Sequence, residues 1–254
     1  MKSRIKSLLS QKDVIYVPQA EDPFKNVWRD VSENEINLIN SVKEFTMTSV
    51  ERMVSLMRSI EYIVNNSLQG DIVECGVWKG GSMMLVAKKL LELKSTEKRL
   101  FLFDTFEGMS EPSDIDVAWD RSSAKDQFIA YKNDDSGKSN WCFSNLDEVK
   151  NNMDISGYPK ERIFFIPGPV EKTLPCEEVE KISLLRLDTD WYESTKHELE
   201  HLYDKLVVGG ILIIDDYGHW RGAKKAVDEF IKGRNLKLFL NRIDYTGRLA
   251  VKIN

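Results

Sequence analysis

This chain is short of basic residues, of cysteine and of long apolar runs. Its 36 lysines and arginines are outnumbered by 41 aspartates and glutamates, for a net charge of -5 at pH 7. An acidic protein gains nothing from counterion release, so neither a nucleic-acid backbone nor an anionic membrane surface is an expected partner. Small molecules are. The three cysteines, Cys75, Cys142 and Cys176, are scattered and form no C-x-x-C pair, which argues against a disulfide framework and against a cysteine zinc site. No run approaches the roughly 20 apolar residues of a membrane helix. The start, MKSRIKSLLSQKD, is basic, but its apolar residues are only Ile5, Leu8 and Leu9, short of the h-region of a secretory signal. Cytoplasm is the default location and a homodimer the default assembly.

What is present is an alternating pattern. With 254 residues, 42% of them hydrophobic, the chain can bury the core of one α/β domain. Five apolar runs have strand character: Asp71 to Gly76, Arg99 to Asp104, Arg162 to Gly168, Ile182 to Asp188 and Gly209 to Asp215. They lack polar alternation, as parallel strands buried on both faces do. Helical stretches fall between them at Ser82 to Leu93, Thr195 to Lys205 and Ala223 to Lys232, which predicts a doubly wound sheet. Leu236 to Leu240 and Arg248 to Ile253 flank the turn-like DYTGR and are expected to pair as an antiparallel edge hairpin. Upstream, Ser49 to Asn66 reads as a long amphipathic helix whose Met53, Leu56, Met57 and Ile60 pack in the core. The connection from Thr105 to Glu161 far exceeds a simple crossover and carries Trp119, Phe128, Tyr131 and Trp141, so it is read as a lid.

Two strand ends pose a problem of charge. GGILIIDDYGHW finishes an oily run in adjacent aspartates, and LLRLDTDWYEST does much the same. In open α/β sheets, ligands sit beyond the carboxyl ends of the strands. If these two strands are neighbours, about 4.8 Å apart, Asp188, Asp215 and Asp216 converge, and a cation must join them to keep them ionised. Oxygen-only ligands point to Mg2+, or to Mn2+ as a substitute. Asp190 either joins them or only bonds the turn. Thr195 to Glu198, TKHE, is expected to cap the following helix, which leaves Asp188 free of that task. His197 and His201 have the i, i+4 spacing of metal ligands but no third partner. His219 either packs structurally or touches substrate.

The first strand runs into VECGVWKGGS, a glycine-rich turn that lets a ligand approach the backbone. It is not the dinucleotide fingerprint G-x-G-x-x-G, because Val77, Trp78 and Lys79 separate Gly76 from Gly80. Trp78 is too bulky for a pyrophosphate cradle. Glu74 then faces a ligand ammonium or is buried on a structural partner. Asp104, ending the second strand, either takes both hydroxyls of an adenosine ribose or caps the turn after it. This pairing of glycine turn and acid fits NAD or S-adenosylmethionine. The D-T-D at Asp188 to Asp190 also suits a metal-dependent glycosyltransferase using a nucleotide sugar, which is the competing reading. A nicotinamide oxidoreductase fails on the fingerprint, and a non-catalytic sugar binder would have no use for both sets of acids.

The stretches TMTSVERM, DIVECGVWKGGSMM, FLFDTFEGM, GPVEKTLP, LLRLDTDWYEST and GGILIIDDYGHWRGAKKAVDEF, in that order, resemble the macrocin O-methyltransferase family from about Thr46 to Ile231. Enzymes of this family methylate sugar hydroxyls with S-adenosylmethionine and Mg2+. The resemblance implies a doubly wound, Rossmann-like class I methyltransferase sheet, mostly parallel, over residues 67–254. Residues 1–66 would be an N-terminal helical extension and cover, and the lid insertion would run from about 105 to 161. It further implies a cofactor site of Met47, Glu74, Gly76, Ser82, Asp104, Thr105, Gly168 and Val170. Asp188, Asp215 and Asp216 would be the metal ligands, and Asp188 the general base unless a metal-bound water takes that part. Thr189 departs from the glycine common at its position, which touches only the shape of the turn. The implied acceptor is a sugar or glycoside, of a natural product or a surface polysaccharide.

Overall fold

Runs of Val, Ile, Leu and Phe with no polar alternation have no face to give to water, and here they form the interior strands of a seven-stranded sheet. The computed structural model describes residues 30–132 and 139–254. The strands are β1 (Asp71–Cys75), β2 (Leu100–Asp104), β3 (Ile163–Pro167), β4 (Ile182–Leu187), β5 (Leu206–Ile214), β6 (Asn241–Arg242) and β7 (Arg248–Val251). Their spatial order is β3-β2-β1-β4-β5-β7-β6, parallel from β3 through β5 and antiparallel at the β7 and β6 edge. This is the expected doubly wound sheet, with its switch of direction between β1 and β4.

Helices cover both faces. They are α1 (Glu33–Asn40), α2 (Val50–Asn65), α3 (Gly81–Glu92), α4 (Ala124–Ala130), α5 (Leu146–Ile155), α6 (Val170–Thr173), α7 (Tyr192–Leu202) and α8 (Arg221–Gly233). Side chains alternate across each strand. Ile72, Leu184, Ile211 and Ile213 share one core with Met53, Leu56, Met57 and Ile60 of α2 and with Leu85 and Leu90 of α3. Val73, Leu185, Leu187 and Leu212 point the other way, against Leu199 and Leu202 of α7 and Val227 and Phe230 of α8. Within 105–161, α5 inserts Val149 and Met153 into the first core, so this part of the long connection is built into the body of the fold.

Two expectations require correction. The hairpin partner of β7 is the two-residue β6, not Leu236 to Leu240; Leu236, Leu238 and Leu240 are instead half-buried against the second core. Their apolar alternation is used in covering that core, and ladder pairing begins only past it. TKHE is not a cap either. Helix α7 starts at Tyr192, and the Thr195 amide already donates to Trp191 O at 3.0 Å as an ordinary helical bond. The open end is served from the long connection, where the Asp116 carboxylate accepts the Tyr192 N–H at 2.8 Å.

Because α2 shares the core of the sheet, Ile60→Ala is expected to destabilise the whole chain by about 2 to 5 kcal/mol. Urea unfolding monitored by circular dichroism should show one transition at a lower midpoint with an unchanged slope. A separate early transition would mean that α2 folds as an appendage.

Candidate active site

The site begins with an arginine in the middle of a buried strand. Arg186 is 3% exposed, and a guanidinium there must find anionic partners or lose its solvation without return. Register supplies them: Arg186 lies opposite Glu74 of β1, and the face it shares continues to Asp188 in its own chain and Asp215 beyond β5. Its Nη1 donates to Glu74 Oε1 and forms an ion pair with Asp188 Oδ2 at 2.8 Å, while Nη2 donates to Asp215 Oδ1 at 2.7 Å and to Thr48 Oγ1 at 3.0 Å. A second cation comes from α2. Arg52 pairs with Asp215 Oδ2 and, through Nε at 3.0 Å, with Asp244.

Two guanidinium groups do not balance these carboxylates. Asp188, Asp215 and Asp216 each bring an oxygen within 4.8 Å of the others. Asp216 Oδ2 is buried without a partner. Burial, together with neighbouring carboxylates, pushes Asp188, Asp190 and Asp216 well above the usual carboxylate range, with Arg186 opposing the rise at Asp188. Such a trio of hard oxygen donors, one of them orphaned, fits Mg2+ or Mn2+. Among the described residues it is the one group of three acids, histidines or cysteines with this closeness. Asp190 is otherwise engaged: its Oδ1 accepts the Trp220 indole N–H at 2.6 Å. The adjacent His197 and His201, tilted 32° to one another, bond carbonyls of Leu174 and α7 and are not part of the group.

The turn after β1 explains its own glycine. Gly76 has φ +81°, and a Cβ there would lie 1.9 Å from the Asp188 carbonyl oxygen, so only glycine lets the ends of β1 and β4 approach this closely. The amides that follow are already used. Val77 and Trp78 N–H donate to Asp104 Oδ2 at 2.6 and 3.1 Å, and Phe106 N–H to Oδ1 at 2.7 Å. That leaves no phosphate cradle. Burial raises the Asp104 pKa against these bonds.

A cavity of about 360 Å3 joins this turn to the acids. Met47, Gly76, Ser82, Asp104, Thr105, Gly168 and Val170 line it, as do Asp188, Asp215 and Asp216. Glu74 lies behind the wall: its Oε1 is on Arg186, its Oε2 is buried without a partner, and burial pushes it up to about 7 despite Arg186. Thr48 and Arg52 lie in TMTSVERM and Arg186 in LLRLDTDWYEST, but neither stretch by itself gave these residues a role. The available signal is a lone arginine inside LLRLD, since a charge in a buried strand must be paired.

The long connection is stapled over the acids. Trp141 meets Trp191 and Trp220 edge-on, with ring centroids 5.7 and 6.1 Å away. Trp191 Nε1 donates to Ser110 O at 3.0 Å, Arg221 N to Val117 O at 2.9 Å, and Trp119 N to His219 O at 2.8 Å. Both acid-bearing loops are therefore fixed by residues 110–119. His219 lines the cavity, and burial lowers its pKa. Thr189 bonds Glu198 Oε1 at 2.8 Å beneath the turn.

Comparison with known proteins gives a consistent result. The family model for macrocin O-methyltransferase (TylF) matches residues 9–251. The chain is 32% identical over 185 residues to demethyldecarbamoylnovobiocin O-methyltransferase of Streptomyces niveus, covering 73% of this chain and 67% of that protein. It is 31% identical over 202 residues to 8-demethyl-8-(2,3-dimethoxy-alpha-L-rhamnosyl)-tetracenomycin-C 4'-O-methyltransferase of Streptomyces olivaceus, covering 80% and 73%. The solved structure of the O-methyltransferase NovP superposes with a TM-score of 0.70 at 30% identity, covering 83% of each chain. The calicheamicin methyltransferase CalS11 shares the fold, with a TM-score of 0.62 at 18% identity, covering 92% of this chain and 94% of that one.

Arg186→Met is expected to cost about 3 to 5 kcal/mol, because Glu74 and Asp215 stay buried without their shared cation. In urea unfolding, Glu74→Gln added to Arg186→Met should recover part of that loss. Strict additivity of the two changes would contradict the pairing.

Proposed function

The chain belongs to the macrocin O-methyltransferase family, and on that premise we propose that it methylates a hydroxyl of a sugar or glycoside in a Mg2+-dependent reaction. The observation that carries the metal is the orphaned Asp216 oxygen beside Asp188 and Asp215. S-adenosylmethionine supplies an electrophilic methyl on sulfonium, and Mg2+ supplies a Lewis acid that makes a sugar hydroxyl easier to deprotonate.

The protein's own groups do the remaining work. Met47, Gly76, Ser82, Thr105, Gly168 and Val170 form the cofactor wall, with the glycines admitting it close to the backbone. Asp104 lines the same wall while fixing the turn, and of its four donors the Thr105 hydroxyl, at 3.4 Å, is the weak one that a ribose hydroxyl would replace. Glu74, behind the wall, acts through Arg186, which it pairs with, and so positions the acids rather than meeting the cofactor. Asp188, Asp215 and Asp216 hold the ion. Arg186 keeps one Asp188 oxygen occupied at 2.8 Å, which orients the carboxylate so that its other oxygen accepts the proton of the acceptor hydroxyl. Trp141, Trp191 and Trp220 exclude water from one side of the acids. Holding the hydroxyl in line is where much of the rate would come from.

No observation favours the nucleotide-sugar reading. A D-x-D motif at Asp188 and Asp190 would need Asp190 on the metal, and Asp190 is not among the three acids whose oxygens converge.

Titration calorimetry with Mg2+ tests the proposal. Asp216→Asn should weaken Mg2+ binding by at least about tenfold and lower methyl transfer to a glycoside, with adenosylhomocysteine affinity retained. Burial raises the Asp188 and Asp216 pKa values, so both must shed protons to bind metal; Mg2+ affinity should therefore climb as the pH rises above the usual carboxylate range. Equal affinity in the variant, or none of this pH dependence, would contradict the site.

A further inference from the structure

The turn between β6 and β7 is held far more firmly than a strand connection requires. Asp244 Oδ1 accepts the amides of Thr246 and Gly247 at 2.9 and 2.6 Å, while its Oδ2 accepts the Ser49 hydroxyl at 2.7 Å and forms an ion pair with Arg52 Nε at 3.0 Å. Thr246 Oγ1 donates to the Asp215 carbonyl at 2.7 Å, and Gly218 N donates to Thr246 O at 2.9 Å. The approach is so close that a Cβ on Gly218 would lie 1.9 Å from Tyr245 O. The turn is thereby fixed to the loop that carries the acids. Its own Tyr245 nevertheless keeps 54% of its surface in solvent.

Beside that ring stands His219. It shares a 3.3 Å hydrogen bond between Nδ1 and Tyr245 Oη, and its ring centroid lies 4.6 Å from Trp220 and 6.0 Å from Tyr245. Among the described residues its Nε2 has no protein partner. Trp119, which donates its N–H to His219 O, is 63% exposed on the outer side. Tyr245 and His219 line the cavity that holds Asp188, Asp215 and Asp216. Rigid backbone presenting exposed aromatic surface and one free imidazole nitrogen at a cavity mouth is the chemistry of a saccharide platform. A pyranose has an apolar face of C–H groups that lies flat on an aromatic ring, and hydroxyls at its edge that need directional partners.

We propose that Tyr245 and His219, with Trp119 as an outer contact, form the acceptor subsite: the C–H face of a pyranose stacks on Tyr245, and one of its hydroxyls bonds His219 Nε2. This deepens the sugar methyltransferase reading and rests on it. Tyr245 and His219 then act as specificity residues, orienting the ring toward the acids from the side opposite the cofactor wall.

Saturation-transfer NMR with methyl α-L-rhamnopyranoside and methyl β-D-glucopyranoside as probes, in the presence of adenosylhomocysteine and Mg2+, tests this. The wild type should transfer saturation to the C–H protons of at least one sugar. Tyr245→Ala should weaken that binding about tenfold and Tyr245→Phe should keep most of it, since stacking survives without the hydroxyl. His219→Ala should also weaken it, and adenosylhomocysteine affinity by calorimetry should stay within about twofold in every variant. A full sugar signal in Tyr245→Ala, or none from either sugar in a wild type that binds adenosylhomocysteine, overturns the subsite alone. A wild type that fails to bind adenosylhomocysteine overturns the methyltransferase reading, and the subsite with it.

Discussion

One guanidinium organises the catalytic end of this protein. Arg186 sits in the central strand almost fully buried, so its partners must come from the sheet and the elements packed on it. Glu74 reaches it from β1 and Asp215 from beyond β5, and both can do so only with β4 between those strands and in the observed register. The same contact fixes where Asp188 and Asp215 stand before any ligand arrives. Fold and site are therefore coupled: a slip of one residue would turn Arg186 to the opposite face and into the apolar packing under α7 and α8.

The adjacent aspartates at the end of β5 divide the work. Asp215 continues the strand's alternation and meets Arg52 and Arg186, which offset its charge. Asp216 opens the following turn and makes no ion pair among the described residues; burial and the neighbouring Asp190 and Asp215 outweigh the more distant Arg52 and Arg186. A buried strand ending in two like charges is tolerable because one is neutralised by the fold and the other is left for a ligand. The arrangement that keeps Asp188 oriented also keeps it buried among other carboxylates, and that burial raises its proton affinity above the usual carboxylate range.

Much of this was legible in the residues. Continuous apolar runs alternating with helical stretches marked the doubly wound sheet, and acids at the ends of neighbouring parallel strands marked the convergence of Asp188, Asp215 and Asp216. Periodicity said less where tertiary contacts decide. TKHE has the spelling of a cap, yet α7 begins earlier because Asp116, distant in sequence, satisfies its first amide. Leu236 to Leu240 alternates like a strand but lies on the core without a ladder partner. Arg52 and Arg186 stand within recognisable stretches, but their role appears only when three strands and a helix meet. Glu74 had two readings, and its place against Arg186 became clear only with the register.

The most direct test of the shared-ion account is anomalous diffraction from crystals of the protein soaked in Mn2+ with adenosylhomocysteine. The account predicts a single strong peak among the carboxylates of Asp188, Asp215 and Asp216, with Asp190 still on the Trp220 indole. A peak held by Asp188 and Asp190 without Asp215 and Asp216, or no peak at the strand ends at all, would contradict it.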